Sequence, residues 1–172
     1  MMVSTPRGGT SGVTLVLNLG EVGLSSRPDD VLKIVALGSC VALCVWCSQR
    51  RVGAMAHVVL PDSATDLELA RRQPGYFADT AVPLILRAMT LRHGCVPEAL
   101  GVRLVGGAAV LQGMSGGMDI GRRNAEALTR LVPLARMRLD ATHLGGSSQR
   151  TIAMSVATGQ LQIETEGRRF ML

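Results

Sequence analysis

A 17-residue apolar run, VLKIVALGSCVALCVWC (residues 31–47), broken only by Lys33 and by Gly38-Ser39, restricts the fold more than any other stretch of the chain. It is shorter than a membrane span of roughly 20 apolar residues, so it reads as buried strand. A second apolar segment, RVGAMAHVVL (residues 51–60), follows it. The polar tetrapeptide Ser48-Gln49-Arg50-Arg51 joins the two, which is the pattern of a β-hairpin.

Cys40 lies in the first segment and His57 in the second, 17 positions later. A hairpin turning on Ser48 and Gln49 sets them directly opposite; a register step of two residues makes them diagonal neighbours. In both cases the side chains share one face, with Cβ atoms roughly 5 to 8 Å apart. A register of the other parity separates them onto opposite faces.

That pairing has chemical meaning. A free thiol is mostly protonated at neutral pH, and a nearby imidazole or amide dipole is what makes it a nucleophile. Gly38-Ser39 just before Cys40 allows a tight turn whose N–H groups can face a developing oxyanion, the Cys40 amide first and the Ser39 amide or hydroxyl second. Spacing alone leaves a second reading open, since a cysteine in an apolar strand is usually an inert small hydrophobe.

The rest of the chain bounds the alternatives. With 172 residues and 47% hydrophobic content, one globular domain with a sizeable core is expected over 13–172, after a disordered tail at 1–12. Aromatics are 2% of the chain, so aliphatic side chains and methionine must build that core. MMVSTPRGGTSG lacks the apolar core of a secretory signal, so a cytoplasmic location is expected, with Cys40, Cys44, Cys47 and Cys95 as thiols.

The net charge is +5, and 17 of the 18 basic residues are arginines; the Arg-Arg pairs at 50/51, 71/72, 122/123 and 168/169 are dispersed and lack interleaved aromatics, which argues against nucleic-acid binding. Cys44-x-x-Cys47 on a strand points its thiols to opposite faces, and no second pair at ligand spacing follows, so no metal site is expected. Gly106-Gly107 is too short for a dinucleotide fingerprint, and no phosphate loop is present. No cofactor is implied. His93, Cys95 and His143 read as incidental, His143 in a loop.

Residues 13–24 read as a first strand, 61–75 as an irregular connection, and 79–94 as a helix with Gly94 just past its end. LGVRLVGGAAVL reads as a strand, and a second helix is expected over 121–132, stopped by Pro133. A late strand and a terminal hairpin turning on Thr158-Gly159 complete six or seven strands and two main helices. The fold class is α+β, a layered α/β sandwich. Asn124, early in the second helix, is a candidate to bind a substrate amide or carboxylate.

LGSCVALCVW, GAMAHVVLPDS, PGYFADTAV, VGGAAV, DIGRRNAEAL and the GG(x)₃R…TGQL ending resemble, in one consistent order from about residue 19 to about 163, the chemoreceptor glutamine deamidases of the CheD family. The resemblance implies Cys40 as nucleophile and His57 as general base. It also implies mixed, largely antiparallel sheets similar to the catalytic domain of the cytotoxic necrotizing factor toxins. Its substrate class would be glutamine side chains on the chemoreceptor cytoplasmic helical bundle, its partner the CheC-type chemotaxis phosphatase, and it calls for no membrane insertion.

The family often carries a threonine six positions before the cysteine, proposed to orient the histidine. Here that position is Ile34, so a backbone carbonyl near Ile34 is the expected substitute; Phe77 stands where tyrosine is common, beside the substrate. A copy without the orienting hydroxyl has a second possible role, as a weakly active or inactive module that binds the phosphatase or receptors.

Overall fold

A computed structural model describes residues 2–4, 11–109 and 119–172. In chain order its elements are β1 (Met2–Ser4), β2 (Thr14–Val16), β3 (Val22–Ser25), β4 (Val31–Leu37), β5 (Val41–Cys47), β6 (Val52–Val58), α1 (Leu67–Arg72), α2 (Ala78–His93), β7 (Leu100–Gly106), α3 (Ile120–Leu134), β8 (Arg138–Leu144), β9 (Arg150–Ser155), β10 (Leu161–Thr165) and β11 (Arg168–Met171). They form a six-stranded sheet, β1-β3-β6-β5-β7-β8, and a five-stranded sheet, β11-β10-β9-β4-β2. Three neighbouring pairs run parallel, β1/β3, β2/β4 and β7/β8, and the rest antiparallel. The fold is α+β, with mixed, largely antiparallel sheets.

The six-stranded sheet is the middle layer, and strand alternation explains how it serves two cores. Val41, Leu43, Val45 and Cys47 of β5 point to one side, where they bury Ile85 and Met89 of α2 and Leu128 and Val132 of α3. Ala42 and Cys44 point to the other side, against Leu32 and Ile34 of β4 and Ile152 and Met154 of β9. Covered on both faces, β5 and β6 need apolar residues at nearly every position, which is why they read as continuous hydrophobic runs. The Trp46 indole N–H crosses the inter-sheet layer to donate to the Val156 carbonyl at 3.0 Å.

The helix boundaries have local causes. Gly94 ends α2 in a left-handed conformation, with its N–H on the Met89 and Thr90 carbonyls. The Asp119 side chain caps α3 by accepting from the Arg122 amide at 3.0 Å, and Pro133 falls inside the last turn instead of ending the helix before it.

The strand count exceeds the sequence expectation because several strands are only three or four residues long. Residues 13–24 do not make one strand: β2 and β3 lie in different sheets. The connection at 61–75 contains α1, capped by the Asp66 side chain on the Leu69 amide. Within the stretch expected as a tail, Met2–Ser4 pairs with β3, an edge that offers backbone partners to any extended segment. Residues 1 and 5–10 of that stretch, and residues 110–111 of LGVRLVGGAAVL, lie outside the described residues; the strand expected to run into Gly106-Gly107 ends at Gly106.

Candidate active site

The apolar run at 31–47 is two strands in two sheets, and Gly38-Ser39-Cys40 carries the chain between them. A β-bulge between Ile34 and Leu37, with Ala36 at φ 57°, prepares this crossing. Three consecutive carbonyls of the crossing are then held from one side. The Ala108 amide donates to Gly38 at 2.9 Å, the Asn124 Nδ2 to Ser39 at 3.1 Å and the Gly107 amide to Cys40 at 2.8 Å. In a planar trans peptide the N–H points opposite to the C=O. Anchoring these carbonyls therefore turns the Ser39 and Cys40 amides away from the anchors.

Gly106 makes this approach possible. Its φ is 125°, and a Cβ there would lie 2.2 Å from the Cys40 carbonyl oxygen. No side chain fits between β7 and the crossing.

The β5/β6 ladder pairs Ala42 with His57 and Cys47 with Val52, so the turn spans Ser48 to Arg51 instead of centring on two residues. Cys40 is thus the diagonal neighbour of His57, the second of the two registers anticipated above. Both positions have the parity of Ala42 and Met55, which face the inter-sheet layer. Diagonal positions lie roughly 7 to 8 Å apart at Cα.

His57 is buried, and its Nδ1 lies 3.3 Å from the Leu17 carbonyl. A carbonyl only accepts, so this bond places the proton on Nδ1 and leaves Nε2 with a lone pair. The expected substitute for the missing hydroxyl therefore comes from a different strand. Leu17 follows β2, and its amide takes the Lys33 carbonyl at 2.8 Å, which sets it beside β4 next to Ile34. The Ile34 side chain itself is packed in the inter-sheet core. The same connection is tied to His57 twice more, through Gly20 N–H to the His57 carbonyl and His57 N–H to the Glu21 carbonyl.

Burial dominates the electrostatics of both groups. It pushes the Cys40 thiol up from its ordinary range, opposed by a hydrogen bond from the residue's own backbone amide. It pushes His57 down, opposed by the Leu17 carbonyl and the Glu21 charge. Both directions favour a neutral thiol beside a neutral imidazole at rest, not a preformed ion pair.

Other residues singled out in the sequence are placed elsewhere. Asn124 is fully buried, its Nδ2 engaged by the Ser39 and Val59 carbonyls, so its amide braces backbone where contact with substrate was expected. Phe77 is also fully buried, precedes α2 and packs against Tyr76 with ring centroids 5.3 Å apart and planes tilted by 55°, a packing position with no open face for substrate. His143 lies in β8, not a loop, and its Nδ1 accepts from the buried Arg150 at 2.9 Å. Cys44 and Cys47 belong to opposite cores, and burial pushes Cys44 up to about 12. Among the described residues no group of three His, Cys, Asp or Glu side chains could hold a metal. An open depression of about 500 Å³ lies beside Gly107, lined also by Arg122, Leu144 and Gly145, with neither Cys40 nor His57 in its wall.

Leu17 and Glu21 are the residues that sequence reasoning missed. Asn18-Leu19-Gly20 carries a turn signal inside the first apolar stretch and marks the break.

The CheD family model, described as CheD chemotactic sensory transduction, matches residues 59–165. A relative from Syntrophotalea carbinolica, "Probable chemoreceptor glutamine deamidase CheD", is 36% identical over 156 residues, 90% of this chain and 95% of its own. The chain belongs to the CheD family. A CheD relative from Thermotoga maritima, "Chemoreceptor glutamine deamidase CheD", is 36% identical over 152 residues, covering 88% of this chain and 92% of its own. The family match begins two residues after His57, but the first CheD relative leaves too few residues uncovered for positions 40 and 57 to fall outside its span. Among solved structures, the Bacillus licheniformis hypothetical protein YfiH aligns with a TM-score of 0.48 at 10% identity, over 72% of this chain and 51% of that one.

Proposed function

We propose that this protein is a cysteine-dependent protein-glutamine deamidase that converts glutamine side chains on the cytoplasmic helices of chemoreceptors to glutamate in chemotaxis adaptation. The supporting observation is the diagonal pairing of Cys40 with a His57 whose Nδ1 is held by the Leu17 carbonyl. The names of the CheD relatives supply the substrate class.

His57 Nε2 takes the Cys40 proton as Sγ bonds to the carboxamide carbon, and the carbonyl electron pair moves to oxygen. The Cys40 and Ser39 amides stabilise that oxyanion. As the intermediate collapses, the C–N bond breaks, the imidazolium gives its proton to the nitrogen, and ammonia leaves a thioester. His57 then takes a proton from water as hydroxide adds to the thioester carbon; the C–S bond breaks, the imidazolium returns its proton to Sγ to restore the Cys40 thiol, and the released carboxylic acid ionises to glutamate. No cofactor or metal enters these steps. Because both groups rest neutral, proton transfer accompanies attack. The protein works in the cytoplasm, and a CheC-type phosphatase is its partner.

Incubation with a receptor cytoplasmic fragment, followed by peptide mass spectrometry, tests this reading. Wild type produces Gln-to-Glu conversion; Cys40→Ala removes it by a factor on the order of 10⁴ or more, and His57→Ala lowers it by about 10²- to 10⁴-fold. A folded wild-type protein that converts no glutamine but binds the phosphatase would overturn the enzyme in favour of an interaction module.

A further inference from the structure

The middle carbonyl of the Gly38-Ser39-Cys40 crossing is the one held by a side chain. Asn124 Nδ2 donates to the Ser39 carbonyl at 3.1 Å and to the Val59 carbonyl at 2.8 Å. Ser39 precedes Cys40, and Val59 follows His57 by two residues, so one amide group bridges the two halves of the candidate site. The donor assignment is forced, because the reversed amide would press Oδ1 against two carbonyl oxygens. Close contact of α3 with the end of β7 delivers the residue: a Cβ on Gly121 would lie 2.6 Å from the Gly107 carbonyl oxygen.

We propose that Asn124 is a positioning residue that sets the direction of the Cys40 amide and locks the nucleophile crossing to the histidine strand. This rests on the reading of Cys40 as nucleophile. The Ser39 carbonyl and the Cys40 N–H belong to one planar peptide and point in opposite directions. Pulling the carbonyl toward α3 aims the N–H to the other side, where it serves Cys40 Sγ and, later, the oxyanion. The Cys40 amide does lower the pKa of its own thiol against the upward push of burial, which agrees with that direction. Asn124 is fully buried, and its Oδ1 has no partner among the described residues. An unmet buried acceptor costs stability. The two hydrogen bonds that Nδ2 donates offset that cost.

The test separates Cys40 reactivity from receptor deamidation. Iodoacetamide alkylation of Cys40 is followed against pH by peptide mass spectrometry in wild type, Asn124→Ala and the near-isosteric Asn124→Asp, with folding checked by circular dichroism. In a folded variant the Cys40 profile moves to higher pH by about one pH unit. On the receptor fragment, kcat falls about tenfold to hundredfold while KM stays within about twofold. A folded variant with the wild-type alkylation profile would overturn the proposal. If wild type converts no glutamine yet the profile still moves, the deamidase reading fails and the positioning role stands. Should neither variant fold, the wild-type Asn124 side-chain amide protons decide: slow solvent exchange with nuclear Overhauser contacts to Cys40 and Val59 supports the clamp, and fast exchange overturns it.

Discussion

Of the short connections that cross between the sheets, two contribute to the site, and by different means. Residues 38–40, between β4 and β5, bring a side chain, the Cys40 thiol. Residues 17–21, between β2 and β3, bring a backbone carbonyl, that of Leu17, to His57. The first crossing is held by the Gly107 and Ala108 amides just after β7 and by the Asn124 side chain of α3; the second is held by the histidine strand and by Glu21, whose carboxylate accepts from the Asn18 amide at 2.9 Å. A reactive side chain needs a scaffold around it, while an orienting carbonyl needs only that its own strand be placed correctly. The second crossing should therefore tolerate side-chain change that the first does not.

The strongest way to break the contrast is Gly106→Ala. Its Cβ would meet the Cys40 carbonyl oxygen at 2.2 Å from a backbone with φ 125°. We expect a loss of about 3 kcal/mol in urea unfolding and, in whatever remains folded, kcat lower by about 10²-fold from a displaced nucleophile. Wild-type activity and stability would show that β7 does not hold the crossing.

Ile34→Thr tests the second crossing by placing at residue 34 the hydroxyl that the sequence resemblance leads us to expect there. Ile34 is fully buried in the inter-sheet core, so the substitution should cost about 1–3 kcal/mol. Activity should change by less than about twofold, because Nδ1 already has the Leu17 carbonyl; a tenfold gain would mean that this carbonyl orients His57 poorly.

Glu21→Gln has the smallest effect and the most specific. The Glu21 charge raises the His57 pKa against the larger downward push of burial. Removing it should move the acid limb of kcat/KM to lower pH by less than about one pH unit, with little change on the alkaline side of the limb. The wild-type limb lies below pH 6.5, because folded His57 sits under its ordinary value of 6.5. Stability follows the same sign. As pH falls below 6.5 the unfolded histidine binds a proton that the folded one resists, so ΔG of unfolding declines until the folded pKa is passed. His57→Ala should flatten that decline.

The difference between the crossings is also what made one readable in the sequence and the other not. Cys40 and His57 announce themselves as residue types, and period-two alternation limits their register to a few choices. The helix over 78–93 is equally visible, because Gly94 marks its end and apolar residues mark its buried face. The Leu17 carbonyl has no such mark, since every residue carries one, and only the pairing of β2 with β4 selects it. Sheet membership was hidden for the same reason: a chain that changes sheets at Gly38 reads, residue by residue, like one long strand. Asn124 was picked out as a polar residue early in a helix, but its burial comes from the close packing of Gly121 on Gly107, a contact between parts of the chain that are distant in sequence.

Trp46 is the chain's one tryptophan, and its indole N–H binds the Val156 carbonyl of the opposing layer. The one indole of the chain thereby sits at the seam between the two layers, at the end of β5 away from Cys40. Its emission should shift to longer wavelength when that seam opens. Light from one ring then reports, without any label, whether the second sheet still packs against the strands that carry cysteine and histidine.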